Sequence, residues 1–268
     1  MKLPLGYLTI VGIFLAIICY KANAQSLPSP LSFTVAGSFA NAVGESSNSI
    51  LITDNNLTNG YVSGMDLHDA PTPLNPTGPV GSAAFQWGNP KSTSNYPHSS
   101  ALWFQPLSAT NVNPEKYFNL GYLYYRNGTI VSNTGASSVD IALNLNFSSP
   151  SGISPLTTSF TSDLINSLNG SDPVASADTV SLRNEGAALN FKDASGNTYY
   201  LELSFKVDTD TINGTLSTAD QFKVFEGRQG RAELLGRFTT TPYAASIPEP
   251  SSALLAVLGA LALIRRKR

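Results

Sequence analysis

The chain has 268 residues with a formal net charge of −2, and charged side chains make up only 13% of it. Removing Lys2, Lys21 and the four terminal cations leaves ten basic residues, and removing Glu249 leaves 17 acidic ones, so residues 25–246 carry a net charge of −7. This balance argues against nucleic-acid binding, which requires a basic face.

The N-terminal segment has the order of a secretory signal peptide. Lys2 precedes a mostly apolar stretch over residues 3–20, and Ala22 and Ala24 frame an A-x-A cleavage site. We therefore expect residues 1–24 to direct Sec-type export and to be removed afterwards. The only cysteine, Cys19, lies inside this segment, so the exported part has no disulfide and is held together by its core alone.

Residues 25–246 are predicted to form one all-β domain. Apolar and polar residues alternate with period two over 139–147 and again over 199–207, as in half-buried strands. A single short helix is expected over 161–168, where Leu164, Ile165 and Leu168 would share a face. The pattern favours an antiparallel β-sandwich, with a jelly roll as one form of it. Further strands are predicted at 32–39, 49–53, 99–104, 117–125, 179–182, 188–191, 222–226 and 232–239.

Between residues 62 and 97 the strand pattern fails, and this stretch contains six prolines and His68, while the other histidine, His98, directly follows it. A long irregular segment in a compact domain is typical of a functional loop or a covering flap. Its Trp87 is the candidate ligand residue, because an exposed indole ring can stack on a sugar. His68, between Asp66 and Asp69, suggests a metal or acid–base cluster, although a polar surface loop is the favoured interpretation.

The other aromatic residues of the domain are assigned mainly to its core. Tyr122 and Tyr124 share a predicted strand face with Leu120, and Tyr125 and Leu123 point the other way. This alternation predicts that the side chains of Tyr122 and Tyr124 point into the core. Core packing is also favoured for Trp103.

Residues 208–214 offer oxygen ligands at near-alternate positions, partly like a calcium loop. Asp208, Asp210 and Asn213 are the candidate ligands, but Ala219 stands where such a loop carries its bidentate glutamate. A polar hairpin turn is favoured, so no cofactor is predicted and Ca²⁺ is the weaker alternative. The sequence has no Gly-x-Ser-x-Gly, HExxH or P-loop motif, and no catalytic residue is assigned.

The C-terminal segment, residues 247–268, combines three features in a fixed order. A Pro248-Glu249-Pro250 triplet precedes a 12-residue run over 253–264 with no charged or polar side chain, and a basic cluster follows. As a helix the run would rise about 18 Å, against a hydrocarbon core of about 30 Å, so it is a weak membrane span. The basic cluster is expected to stay in the cytoplasm as a stop signal, and it consists of Arg265, Arg266, Lys267 and Arg268. The anchoring side chains would be Ala253, Leu254, Leu255, Val257, Leu258, Leu261, Leu263 and Ile264.

This tail resembles the PEP-CTERM sorting signal of bacterial exported proteins. The resemblance implies transient retention in the inner membrane and processing near the triplet by an exosortase-type enzyme. An ordinary tail anchor, retained without processing, is the alternative. The family's association with exopolysaccharide and biofilm producers implies delivery to the cell surface or the extracellular matrix.

A second pattern involves residues 85–90, 100–104, 118–130 and 224–227, together with the strand from Val139. In these segments the domain resembles, more faintly, the choice-of-anchor K domain, which is related to the THxN group. The Thr-His pair of the THxN group is absent. The resemblance implies a structural domain and assigns no active-site residues.

We therefore expect an exported, non-enzymatic protein with a structural or adhesive role. Its partners would be the Sec machinery, the processing enzyme, the membrane and extracellular polysaccharide. The alternatives are a carbohydrate-binding module and a polysaccharide-active enzyme with a carboxylate pair, for which the sequence names no particular residues.

Overall fold

The computed structural model describes seven segments of the chain, and these segments contain strands but no helix. The strands form two seven-stranded sheets in which every pairing of named strands is antiparallel, so the prediction of an all-β antiparallel fold is confirmed. The signal peptide and the C-terminal tail lie outside the described residues. Those are 30–55, 83–94, 98–168, 172–183, 189–193, 195–208 and 214–240.

The first sheet has its longest strands at its centre. In spatial order its strands are β12 (Thr215–Ser217), β13 (Gln221–Val224), β9 (Asp178–Leu182), β8 (Leu156–Ile165), β7 (Ala136–Ser149), β1 (Leu31–Gly44) and β5 (Ala109–Val112).

The second sheet follows the same plan, with long strands inside and short ones outside. In spatial order its strands are β10 (Asn190–Lys192), β11 (Thr198–Phe205), β14 (Gln229–Thr239), β6 (Phe118–Arg126), β4 (Ser100–Pro106), β3 (Ala83–Trp87) and β2 (Leu51–Asp54).

The two sheets pack face to face around one large apolar core. Alternate residues of β7 and β11 point into it as the period-two pattern predicts, and Leu143 and Leu201 are examples that are almost fully buried. Aromatic rings join the sheets: Phe33 of β1 meets Phe238 of β14 edge to face with ring centroids 5.6 Å apart. Such pairs add about 0.5–1.5 kcal/mol beyond the area they bury.

The predicted helix over 161–168 is wrong, because most of this segment belongs to β8. β8 lies between β7 and β9, which supply ladder partners on both sides, as in the pairing of Ser162 with Val139 and Leu182. Burial follows a strand period, since Leu164 is 5% exposed and its neighbour Ile165 is 51% exposed. The tertiary pairing therefore overrides the short helical pattern.

A strand also lies within the stretch that was predicted to be irregular. β3 pairs with β2 on one side and β4 on the other. All five of its residues are buried, so the apolar and polar residues do not alternate along it. A strand that is buried on both faces lacks the period-two signal, which explains why the sequence pattern missed it.

A β-bulge in β6 reverses the predicted orientation of two tyrosines. Gly121 pairs with Leu234 and Asn119 with Leu235, so Leu120 is an extra residue on this strand. Gly121 takes a φ of +156°, and a Cβ there would lie 2.4 Å from the Gln105 carbonyl oxygen. Beyond the bulge the core residues are Leu123 and Tyr125. The expectation that Tyr122 and Tyr124 lie in the core is thus wrong, and they point outward.

Candidate functional site

Trp87, the predicted ligand residue, lies at the end of β3 and is fully buried. Its ring stacks against Phe85 and Tyr125, with centroid distances of 5.2 and 5.6 Å. Its Nε1 donates a hydrogen bond of 3.4 Å to Asn166 Oδ1. This placement corrects the expectation of an exposed stacking ring: Trp87 packs in the core.

The outward surfaces of the two sheets differ in chemistry. On the first sheet the outward positions of β7 and β8 are mainly Ser, Thr, Asn and Asp, with Asp140 accepting hydrogen bonds from Asn41 and Thr161. The second sheet instead carries rings and guanidinium groups on its outward surface. We call this surface the aromatic face, defined by Trp103, Tyr117, Tyr122, Tyr124, Arg231 and Arg237.

Arginines hold three of these aromatic rings. The guanidinium carbon of Arg231 lies 4.9 Å from the Tyr122 ring centroid, and that of Arg237 lies 5.0 Å from the Tyr117 centroid. A third pair joins Arg126 and Trp103 at 5.7 Å. Each such contact contributes about 0.5–1 kcal/mol where it is exposed. The pairs therefore favour one orientation of each ring.

The rings of the aromatic face differ in accessibility. Trp103 is only 5% exposed and packs with Ala84 and Ala101 in a small apolar cluster. Tyr124 is half-buried and donates a 2.9 Å hydrogen bond to Gln105. Tyr117, just before β6, is 51% exposed. It is therefore the ring best placed to meet a ligand.

Tyr117 also lines a groove of about 480 Å³ beside β11, which we call the Tyr117 groove. Glu202 and Ser204 of β11 contribute to it, and Ala219 and Asp220 form part of its wall. The wall is held in place because Ser204 Oγ and the Phe205 amide donate hydrogen bonds of 3.1 and 2.8 Å to the Ala219 carbonyl.

A cross-strand ion pair lies at this groove. Arg237 of β14 is opposite Glu202 of β11, and its Nε and Nη2 both donate to Glu202 Oε2, at 2.9 and 2.5 Å. The hydrogen bonds that Arg237 donates to Glu202 hold the pKa of Arg237 above its ordinary value. The Glu202 side chain is 7% exposed. Since both bonds end on one oxygen, Oε1 keeps its lone pairs for another donor.

A second cavity, of about 380 Å³, lies at one end of the two sheets, and we call it the end pocket. Asp178 at the start of β9, Glu226 after β13 and Glu45 after β1 contribute to its lining. Asp178 Oδ1 accepts a 2.7 Å bond from the Ser167 amide, and its Oδ2 accepts one of 3.3 Å from the Tyr125 hydroxyl.

Burial is the main reason why the pKa of Asp178 rises from 3.8 to about 7, and the charge of Glu226 raises it further. Burial, with the neighbouring Asp178, also raises the pKa of the Tyr125 hydroxyl well above its usual value. The raised pKa of Asp178 brings its ionisation toward neutral pH, where a general acid or base works.

Only part of the predicted calcium loop is described. Asp208 is exposed, and its backbone exchanges hydrogen bonds of 3.1 and 2.7 Å with Ser217. Asp210 and Asn213 lie outside the described residues, so the loop stays a prediction. Within the described segments no three His, Cys, Asp or Glu side chains are grouped as metal ligands.

The remaining predicted site residues also lie outside the described part of the chain. They are the His68 cluster, the Ala22–Ala24 cleavage site, the Pro248-Glu249-Pro250 triplet and the apolar and basic residues that follow it. Among the described residues no helix is long and apolar enough to cross a membrane.

No protein-family model matches the chain, and no curated protein matches it either. The structure therefore defines its class by architecture alone: an all-β protein of two packed antiparallel sheets. The site residues that the sequence pattern missed include Tyr117, Asp178, Glu202 and Arg237, and the pairing of Glu202 with Arg237 depends on which strands are neighbours.

Proposed function

We propose that the chain is an exported bacterial protein that is sorted by a PEP-CTERM signal to the cell surface or the polysaccharide matrix. The order of triplet, apolar run and basic cluster in residues 248–268 carries this proposal. The signal peptide over 1–24, the C-terminal membrane helix over 253–264 and a jelly-roll form of the sandwich are parts of it. Its role there is structural or adhesive and does not involve catalysis.

The fate of the C-terminus in the native cell tests the sorting proposal. An epitope tag is placed before Ser246, and the intact mass of the recovered protein is measured in membrane and external fractions. We expect an external chain that ends near the triplet. A full-length chain that still carries Arg265–Arg268 in the membrane fraction would show a permanent tail anchor instead.

A carbohydrate-binding module is the second candidate, and the aromatic face favours it. Rings whose orientation is fixed by arginines offer flat apolar area at a low entropic cost, and the polar groups beside them can pair with hydroxyls. Its test is retention of the full-length chain, in mild detergent, by the extracellular polysaccharide of the bacterium that produces it. Absence of retention contradicts this candidate and leaves the sorting proposal intact.

A polysaccharide-active enzyme is the third candidate, and the end pocket supplies its supporting observation. Asp178, with its pKa near 7, lines the pocket together with Glu226, as an acid and a second carboxylate do in glycoside hydrolysis. Release of reducing ends from the same polysaccharide, lost in the variant Asp178→Asn, would favour this candidate over the non-enzymatic role. No release over a long incubation would count against it.

A further inference from the structure

We propose that the Tyr117 groove is a binding site for a neutral glycan. The proposal rests on the carbohydrate-binding candidate given above and deepens it, because it names one site and one class of ligand. Tyr117, Glu202 and Asp220 together present a ring and two carboxylates to one cavity.

The ring of Tyr117 is suited to stacking on a sugar. Arg237 lies 5.0 Å from its centroid and fixes its orientation, while 51% of the residue remains exposed. The C–H face of a pyranose is apolar and packs on such a surface. Because the ring is already held, little conformational freedom is lost when a ligand binds.

The polar groups of the groove suit sugar hydroxyls. An ionised carboxylate accepts up to about four hydrogen bonds, and the two from Arg237 both end on Oε2 of Glu202. Oε1 receives neither bond, so its lone pairs remain for a hydroxyl donor. The single proton of the Ser204 hydroxyl is already shared between the backbone oxygens of Phe205 and Ala219, so this hydroxyl meets a ligand as an acceptor.

The charges of the groove select against acidic glycans. Its lining includes the carboxylates of Glu202 and Asp220, and Glu115 is close enough to act on Arg237 electrostatically. The guanidinium of Arg237 beside the groove is already paired with Glu202. A uronate or sulfate would thus meet the like charge of Asp220, whereas a neutral glycan meets the Tyr117 ring, apolar side chains and hydrogen-bonding groups without this repulsion.

The test uses the full-length chain in mild detergent and the extracellular polysaccharide of the producing bacterium. Anion exchange separates this polysaccharide into neutral and acidic fractions, and affinity electrophoresis measures binding to each. We expect binding to the neutral fraction, at least ten-fold weaker in Tyr117→Ala and maintained in Tyr117→Trp. Tyr122→Ala is the matched control, because Tyr122 lies on the same face outside the groove, and it should bind within two-fold of the wild type. Thermal unfolding confirms that each variant is folded.

The possible failures are distinguishable. Equal binding by Tyr117→Ala and the wild type contradicts the Tyr117 groove as the site but leaves the carbohydrate-binding candidate standing. Equal losses of binding in Tyr117→Ala and Tyr122→Ala contradict a site confined to the groove and indicate that the whole aromatic face binds. Binding to the acidic fraction alone contradicts a neutral ligand. Absence of binding to both fractions overturns the groove and the carbohydrate-binding candidate together, while the mass of the processed chain still decides the sorting proposal.

Discussion

Replacing Asp178 with Asn should remove a pH dependence from the stability of the domain. In the folded chain burial raises the pKa of Asp178 from 3.8 to about 7, so the folded state binds a proton more tightly than the unfolded state does. The stabilisation from this proton is complete below pH 3.8 and is lost as the pH rises through about 7. The difference between the two pKa values corresponds to about 4 kcal/mol of the free energy of unfolding, of which about 3 kcal/mol is lost between pH 5 and pH 8.

The assay is chemical unfolding of the wild type and Asp178→Asn at pH 5 and pH 8. The fluorescence of Trp87 and Trp103 reports on unfolding because both rings are buried. Asparagine keeps an acceptor for the Ser167 amide but never ionises, so the variant should gain stability relative to the wild type by about 3 kcal/mol between the two pH values. Other titrating groups cancel in this difference. Parallel profiles for the two proteins would refute the reasoning, because Asp178 would then ionise as it does in water.

Two further predictions concern packing. Trp87→Ala should destabilise the fold by about 3–5 kcal/mol, because it empties a fully buried site, and thermal unfolding measures the cost; an unchanged Tm would contradict the burial of this ring. Gly37→Ala should cost about 1–3 kcal/mol in denaturant unfolding, because its Cβ would lie 2.2 Å from a Phe104 ring carbon. Ser38→Ala, on the opposite face of β1, is the matched control, and equal effects of the two changes would contradict the close approach.

The strands that the sequence predicts best are those with one buried and one solvated face. β7 and β11 are examples, since their alternation reports the core face directly. β3 was missed because neither of its faces is solvated, and β8 was misassigned because its partners β7 and β9 decide its conformation. The local sequence pattern thus predicts strands that are buried on one face only. It fails where neighbouring strands in the fold determine the conformation of a segment.

The candidate site was harder to predict than the fold. The bulge at Leu120 is an extra residue in the β6–β14 pairing, which the sequence pattern does not reveal. A strand without this bulge would place Tyr122 and Tyr124 on the core face, as expected from the sequence. Glu202 and Arg237 face each other only because β11 and β14 are neighbours in one register. Such non-local pairings leave no signal in the spacing of residues along the chain.

In the part of the chain that the structure describes, both sheets end in very short strands. The edges of the first sheet are β12 and β5, with 3 and 4 residues, and those of the second are β10 and β2, also with 3 and 4. A short edge offers few open backbone groups to a strand from another molecule. Each of these four strands therefore limits the length over which another molecule could pair with it edge to edge, which is one of the ways in which β proteins restrict growth into amyloid-like fibrils.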